Sequence, residues 1–410
     1  MLILTAAPAA MADGEQPPAE SLWTFSSTTT LKLSGLASHA PRDDVLFPDT
    51  CGRTGSFRFR YAPTVTYDDW LTGELAYEHR VLWTSPGAIG GGRARAREEA
   101  PYRLRQLHWD LYECGDSFAH RHEIDRASVA VHGDWGEIKI GRQAVGLGRG
   151  VLFGAVDVFA PFSPLEFDRD WRRGVDAARF SYQLGPTSSA ELLGVFGQTW
   201  EQSALLGRIR GYIGEVDGEF IAGKRAEDTM VAAVVSGVVG EAEVHAEAAG
   251  FWIDEKHPDG GLFGSDRFMG KAVLGSSYTF DIRNGLTAMC EYHFSSFGVR
   301  DVSDAGVLLA TPGFQRRFLR GDSQILARHA VAGRLSYPFS DALSGSLTVF
   351  MSPTDGSGLV FPAVVWDASD HVRVIVGGYM PWGNRPSGGV LRSQYGGTPW
   401  TLFIQLGVSF

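Results

Sequence analysis

The last ten residues of the chain, Thr401 to Phe410, read TLFIQLGVSF. Apolar side chains occupy alternate positions: Leu402, Ile404, Leu406, Val408 and Phe410, with Gln405, Gly407 and Ser409 between them. Because successive side chains of a β-strand point to opposite faces, this alternation predicts a strand with one continuous apolar face. The apolar face includes the final residue of the sequence, which is aromatic.

The same period of two recurs from residue 24 onward, and the breaks between runs alternate in length. Short polar breaks fall at 67–73, 133–136, 185–189, 214–218, 240–243, 281–285, 340–342 and 367–371. Longer breaks fall at about 37–55, 86–121, 145–173, 254–268, 298–328 and 383–397, with shorter ones near 200, 226 and 355. The runs predict about 18 antiparallel strands with short turns at one end and long loops at the other.

Composition separates a membrane protein made of strands from one made of helices. The mean hydropathy is −0.07 and 20% of the residues are charged, with 51 glycines for tight turns. The roughly 18 consecutive apolar residues of a helical span do not occur. A barrel is compatible with these values because lipid-facing and lumen-facing residues alternate. Large aromatics beside the short breaks, such as Trp70, Trp135 and Trp366, match an interfacial girdle better than the core of a soluble sandwich.

The aromatic end of the last strand resembles the final strand of bacterial outer-membrane β-barrels. The resemblance implies an integral outer-membrane protein in contact with the lipid bilayer, with Phe410 read by the barrel-assembly machinery. Short breaks would be periplasmic turns and long breaks extracellular loops. Residues 1–12, ending in Ala10-Met11-Ala12, match a signal peptide with a truncated start. A disordered N-terminus is the alternative. Residues 13–23 would be a periplasmic segment, and 24–410 the closed all-β transmembrane barrel.

The alternate strand positions that carry polar residues would face the lumen. In this predicted lumen wall bases outnumber acids, although the whole chain carries a net charge of −10. The predicted pore-lining and selectivity residues are Arg58, Arg60, Arg80, Arg126, Arg142, Arg179, Arg208, Arg210 and Arg334. Because lumen charge tunes ion selectivity, this excess favours anionic solutes. The alternative is that arginines and glutamates form crossed ladders that only stiffen and hydrate the wall.

The long break at 145–173 is too apolar for an ordinary external loop. Its large side chains predict a segment that folds into the lumen and narrows it, with Arg142 turned inward by a β-bulge. The predicted constriction residues are Phe153, Asp157, Phe159, Pro161, Asp168, Arg172 and Arg173.

The flanks of this segment resemble the alginate-export-like family of single-chain outer-membrane porins. The matching features are Gly141-Arg142-Gln143, the glycines that follow, the Asp157-Val158-Phe159-Ala160-Pro161 step and Val175-Asp176-Ala177. The resemblance covers about 40 residues plus the last strand. It implies export or uptake through a barrel and does not identify a substrate.

Other chemistries lack their residues. Gly146-Leu147-Gly148-Arg149-Gly150 is not followed by Lys-Ser/Thr and precedes no predicted helix, so a phosphate-binding loop is not expected. The two asparagines, Asn284 and Asn384, fall in a turn and a loop, which disfavours a phospholipase, and we expect no enzyme. His245 with Glu243 and Glu247 could bind a metal but matches a hydrated wall better, so no metal or cofactor is expected. Cys51 and Cys114 could form a disulfide.

The leading hypothesis is a porin-like channel for small hydrophilic, preferentially anionic solutes or an acidic polysaccharide. The alternative is a structural sheath around a periplasmic or surface redox protein in a porin-cytochrome electron conduit. A lumen filled by the chain itself would disfavour the sheath. No nucleic-acid partner is expected.

Overall fold

The computed structural model describes residues 21–88, 101–114, 117–253 and 267–410. The predicted signal peptide and most of the predicted periplasmic segment lie outside these residues, as does the side chain of Cys114. Cys51 carries a free, exposed thiol, so a disulfide with Cys114 is not formed.

The described residues contain nineteen strands and three short helical segments. The strands are β1 (Trp23–His39), β2 (Cys51–Tyr67), β3 (Leu71–Thr84), β4 (His108–Cys114), β5 (Phe118–Gly133), β6 (Gly136–Gln143), β7 (Val175–Gly185), β8 (Ser188–Val195), β9 (Ala204–Ile213), β10 (Val216–Arg225), β11 (Asp228–Val239), β12 (Ala242–Trp252), β13 (Phe268–Phe280), β14 (Leu286–Ser295), β15 (His329–Pro338), β16 (Leu343–Met351), β17 (Gly358–Ser369), β18 (Val372–Trp382) and β19 (Trp400–Ser409). The helical segments are a 3-10 turn (Val302–Asp304), α1 (Ala305–Leu309) and α2 (Pro312–Arg320). Within the described ranges, no helix has the length and apolar character needed to cross a membrane.

Eighteen of the strands, all except β4, close into one antiparallel barrel. Each pairs with its neighbours in chain order, and β1 pairs with β19 from Thr30 opposite Ser409 to His39 opposite Trp400. Strand β4 pairs with residues 118–123 of β5, on the flank beyond the end of β6. The predicted closed all-β barrel of about 18 strands is confirmed. Closure leaves no unpaired edge among the barrel strands, which is the condition for a sheet in lipid.

The connections differ at the two ends of the barrel, as the sequence predicts. Those at one end contain two to five residues, as between β5 and β6 or β13 and β14. Gly214 and Gly240, with φ of 64° and 66°, supply the left-handed backbone that two-residue turns require. At the other end most connections are long, although β10 and β11 are joined by Ala226 and Glu227 alone.

The outer surface of the barrel is apolar. Exposed residues along the strands include Leu33, Val129, Ile140, Phe180, Leu205, Ile209, Phe220, Leu274, Leu335, Leu402 and Ile404. Exposed aromatics border the band, with Trp70, Trp135, Tyr182, Tyr212, Phe339 and Trp366 near the short turns and Trp83, Trp252 and Trp400 at the other end. An apolar band between two aromatic girdles is the surface expected of a barrel in a bilayer.

The interior is also packed with side chains. Phe251, Phe350 and Phe403 are almost fully buried on the inner faces of β12, β16 and β19. They belong to one hydrophobic cluster that also includes Phe153 and Phe159 of the connection between β6 and β7. Part of the lumen is therefore closed by the chain itself.

Candidate functional site

The connection between β6 and β7 lies inside the barrel, and two glutamates hold its backbone. Glu291 of β14 accepts hydrogen bonds from the backbone N–H groups of Val151, Leu152 and Phe153 at 2.7, 2.9 and 2.9 Å. Glu247 of β12 accepts from Arg149 N at 2.9 Å and also from Ala155 N. Both carboxylates are buried. They satisfy backbone donors that would otherwise be stranded away from water.

Aromatic contacts fix the same connection laterally. The ring of Phe153 lies 5.9 Å from Phe350 of β16, and Phe159 meets Tyr102 edge-to-face at 5.1 Å. Phe167 stacks on Phe403 of β19 at 4.2 Å. These contacts span from the β6–β7 side of the barrel to its closing strand, so the connection crosses the bore.

Ion pairs fasten the far half of the connection to β1 and β2. Lys32 Nζ lies 2.6 Å from Asp168 and 2.5 Å from Asp170, and it sits 4.0 Å above the ring of Trp171. Burial opposes the charge of Asp168, but Lys32 and Arg58 outweigh it and hold the pKa of this carboxyl below its usual range.

The remaining predicted constriction residues lie along the same connection. Asp157 is buried and pairs with Arg172, whose guanidinium also donates to Ala160 O at 2.8 Å. Burial raises the pKa of Asp157 against the pull of Arg172. Pro161 packs beside Gly321, and Arg173 lines a cavity described below.

The predicted wall arginines form two ladders with carboxylates. In the first, Arg58, Arg60 and Arg80 surround Glu78, and Arg60 also reaches Asp125 at 3.0 Å. In the second, Arg179 pairs with Glu191 at 2.6 Å, Arg208 with Glu219 at 2.8 Å, and Arg210 with Asp217 at 2.9 Å. The crossed ladders left open by the sequence are therefore present.

Apart from Arg60, which is buried, the bases of the ladders are more exposed than the acids. Arg58, Arg80, Arg179 and Arg210 keep 22, 29, 34 and 35% of their side-chain surface, whereas Glu78 and Glu219 keep 1 and 2%. A solute beside this wall meets guanidinium N–H donors first.

Arg142 and Arg334 lie apart from the ladders, whereas Arg126 adjoins the first ladder through Asp125 at 3.8 Å. Arg126 donates to the backbone carbonyl of Arg172 at 3.3 Å, and Arg334 donates to the hydroxyl of Thr348 at 3.0 Å. Arg142 is buried at the rim, where it binds Asp176, the carbonyl of Ile124 and that of Arg105.

The predicted bulge at Arg142 is wrong. Strand β6 pairs with both neighbours without a register shift. Instead, Gly141 has φ of 120°, and a Cβ there would lie 2.3 Å from the carbonyl oxygen of Ala127. Only glycine accommodates this backbone without strain. The ion pair between Arg142 and Asp176 thus joins the two ends of the inward connection.

The strict alternation of inward and outward residues did not predict two inward acids, Glu123 and Asp125. A register shift between β3 and β5 leaves Asp125 without a partner in β3, and both Glu123 and Asp125 are buried. Arg103, which precedes β4, donates to both carboxylates and to the carbonyl of Gly174. A bulge reverses the alternation of faces, so a strict period of two misplaces these residues.

The predicted extracellular loop at 298–328 also packs inward at the mouth. Arg317 of α2 pairs with Asp228 at 2.7 Å, and Arg320 pairs with Asp322 at 2.7 Å. Asp322 in turn contacts Arg225 of β10. The buried side chains of this loop therefore form part of the interior, although residues such as Val307 remain exposed.

Two adjoining cavities remain between these internal segments. An inner one of about 420 Å³ is lined by Arg58, Arg80, Arg173 and Arg320, with Glu166 as the one acid among the described lining residues. An outer one of about 740 Å³ has a mixed lining that includes Arg103, Glu201, Glu227 and Arg316. The cavities share Pro101, Leu319 and Arg320. We call the inner one the arginine chamber and the outer one the vestibule.

The predicted metal-ligand candidates on β12 have other partners. His245 Nε2 lies 3.1 Å from Glu291, Glu247 holds the inward connection, and Glu243 accepts from Ser277 at 3.2 Å. These three side chains do not converge on a common point.

Comparison with solved structures identifies the fold. OccAB1 of Acinetobacter baumannii superposes with a TM-score of 0.58 at 8% identity, covering 97% of this chain and 99% of its own. OccK9 of Pseudomonas aeruginosa gives 0.57 at 9%, with 94 and 98% covered, and OccAB4 of A. baumannii gives 0.54 at 10%, with 94 and 97% covered.

These neighbours are outer-membrane porins of Gram-negative bacteria. No protein-family model and no curated protein matches this sequence. With its apolar exterior, the chain has the architecture of an integral barrel of the bacterial outer membrane.

Proposed function

We propose that the barrel is an outer-membrane channel for small hydrophilic solutes, with a preference for anions. The arginine chamber carries this proposal, because four arginines and one glutamate are among the described residues that line a space adjoining the outer vestibule. The barrel fold, which is shared with porins, supports it.

The anion preference would come from the exposure of the arginine side chains rather than from unpaired positive charge. Arg58 and Arg80 are paired to Glu78, so the wall has a smaller net field than the arginines alone would create. Glu78 is buried behind them, and the remaining guanidinium donors can bind a carboxylate or phosphate that passes. Half-buried Lys139 and Glu74, 2.7 Å apart, continue the polar wall toward the short turns.

An acidic polysaccharide, suggested by the alginate-export-like resemblance, is the larger alternative solute. A polymer would need the inward connection to move, because that segment crosses the bore and is fastened at both ends. The motif residues of the resemblance, Arg142, Gln143 and Asp176, hold the ends of this segment. We therefore favour small anions.

The sheath of an electron conduit is the second candidate. A partner inside the barrel would have to displace Phe153, Phe159 and the other side chains of the internal cluster. The filled interior therefore favours a channel.

The test is the reversal potential of the purified barrel in planar bilayers under a KCl gradient. We expect anion preference in the wild type and a several-fold lower anion-to-cation permeability ratio in the double variant Arg58→Gln/Arg80→Gln. Each charge acts on an ion about 4 Å away with roughly 1 kcal/mol in water. Arg60 still pairs with Glu78 in this variant.

Arg373→Gln is the matched control, because Arg373 is exposed and pairs with Asp367 near the short-turn end. It should leave the permeability ratio unchanged. A cation-selective or non-conducting wild type would overturn the proposal.

A further inference from the structure

Three histidines meet on the outward face of β3 and β5, away from the lumen. Glu78 of β3 and Glu123 of β5 are buried inside the barrel, so the alternate residues His79, His120 and His122 point outward. In the register of the two strands, His79 stands directly opposite His122.

The imidazole rings are close enough to share one ion. Nε2 of His79 lies 2.7 Å from Nε2 of His120. The ring of His79 is centred 4.5 Å from His120 and 4.4 Å from His122. One ring nitrogen from each histidine lies within 4.8 Å of the others, and no other group of three His, Cys, Asp or Glu within the described ranges meets this condition.

One nitrogen of the cluster lacks a hydrogen-bond partner. The hydroxyl of Tyr77 contacts Nδ1 of His122, whereas Nε2 of His122 is buried with no partner. A buried polar atom that is left unsatisfied destabilises the fold. A metal ion would use this lone pair, and a hydrogen bond at the other ring nitrogen is the usual support of a metal-bound histidine.

We propose that His79, His120 and His122 form a transition-metal site on the outer surface of the barrel. Neutral imidazole suits Zn²⁺ and Cu²⁺. Three histidines at metal–nitrogen distances of about 2.0–2.1 Å leave a fourth position for water or another ligand. Small side-chain rotations would bring the three nitrogens to these distances. The ion would link β3 to β5 beside the point where β4 replaces β6 as the neighbour of β5.

The site is tested on the tag-free full-length barrel in detergent, by titration calorimetry with Zn²⁺ and by electron paramagnetic resonance with Cu²⁺. We expect one ion per barrel and nitrogen hyperfine structure from several imidazoles. His79→Gln and His122→Gln should each weaken binding at least about tenfold, and Tyr77→Phe, which keeps all three ligands, should weaken it less.

His329→Gln is the matched control. Like His122, His329 of β15 has its Nδ1 close to a tyrosine hydroxyl, at 2.7 Å from that of Tyr292. Among the described residues it belongs to no group of three potential ligands. Its substitution should leave binding intact. Heat-modifiable migration of each variant checks that the barrel is folded.

The exposed pair His39 and Cys51, with Nδ1 and Sγ 3.4 Å apart, is a competing soft site. The titrations therefore include Cys51→Ser. Loss of binding in Cys51→Ser with retention in His79→Gln/His122→Gln would overturn the proposal. So would a wild-type barrel that binds neither ion, or Cu²⁺ spectra without nitrogen coupling.

Discussion

Glu291 makes three of the hydrogen bonds between the barrel wall and the inward connection. Its carboxylate accepts three consecutive backbone N–H groups and lies 3.1 Å from His245, with no solvent-exposed surface. Such an arrangement depends on an acceptor-only group, because any N–H placed there would face another donor.

Glu291→Gln should therefore loosen the connection while the barrel stays closed. The amide oxygen can replace only part of the carboxylate, and each stranded donor costs about 1–3 kcal/mol. We expect faster proteolysis within 145–173 and noisier single-channel current. Glu243→Gln is the control, since Glu243 is exposed and accepts a hydrogen bond from Ser277 of β13. Equal proteolysis rates in the two variants would contradict this role.

The sequence predicts which arginines line the wall better than it predicts their partners. Arg58, Arg60 and Arg80 follow the period of two and lie on the inner face. The position of Asp125 depends on a register shift between β3 and β5 that cannot be predicted from any single residue. The histidine cluster was missed for a related reason. His79 and His120 are far apart in the chain, and only the pairing of β3 with β5 brings them together.

The two inward segments differ in how far their burial could be predicted from the sequence. Residues 145–173 contain too many large apolar side chains to be solvated, so their burial follows from composition. Residues 298–328 enter the mouth through Arg317 and Arg320, which pair with Asp228 and Asp322. Charged side chains usually indicate solvent exposure, so this packing could not be read from the sequence. Phe403, an aromatic on the otherwise polar face of the last strand, also indicates a filled lumen.

Deletion of Leu147 to Asp170 should open the bore. The barrel strands pair with each other independently of this segment, so assembly should persist, while the arginine chamber loses the wall that Phe159 and Phe162 provide. We expect conductance to rise several-fold and anion preference to weaken in planar bilayers. The control is a shorter deletion, of residues 304–309 in the second internal segment. It keeps Arg317 and should change conductance less. Unchanged conductance after the larger deletion would show that the segment does not set the pore width.

At the scale of the whole barrel, local patterns were sufficient to predict the fold. Alternation is a property of each strand, and hairpins between consecutive strands follow from short turns, so the long-range step is the pairing of β1 with β19. That seam continues past the last strand residue. The backbone N–H of Phe410 donates to Thr29 O at 2.9 Å, and Thr29 N donates to Phe410 O at 3.0 Å.

We expect two roles for Phe410, as an assembly signal and as part of the closing seam, and the two roles predict different outcomes. Its side chain is exposed and stacks on His371 at 5.9 Å. If the aromatic is the signal, Phe410→Ala should reduce the amount of heat-modifiable barrel in the outer membrane, yet the purified chain should refold in detergent because both backbone hydrogen bonds remain. Phe410→Tyr should assemble normally. His371→Ala removes the stacking partner but keeps the terminal aromatic, so it should also assemble. Normal outer-membrane levels of Phe410→Ala would refute the signal role, whereas failure of that variant to refold in detergent would place the contribution of Phe410 in the seam.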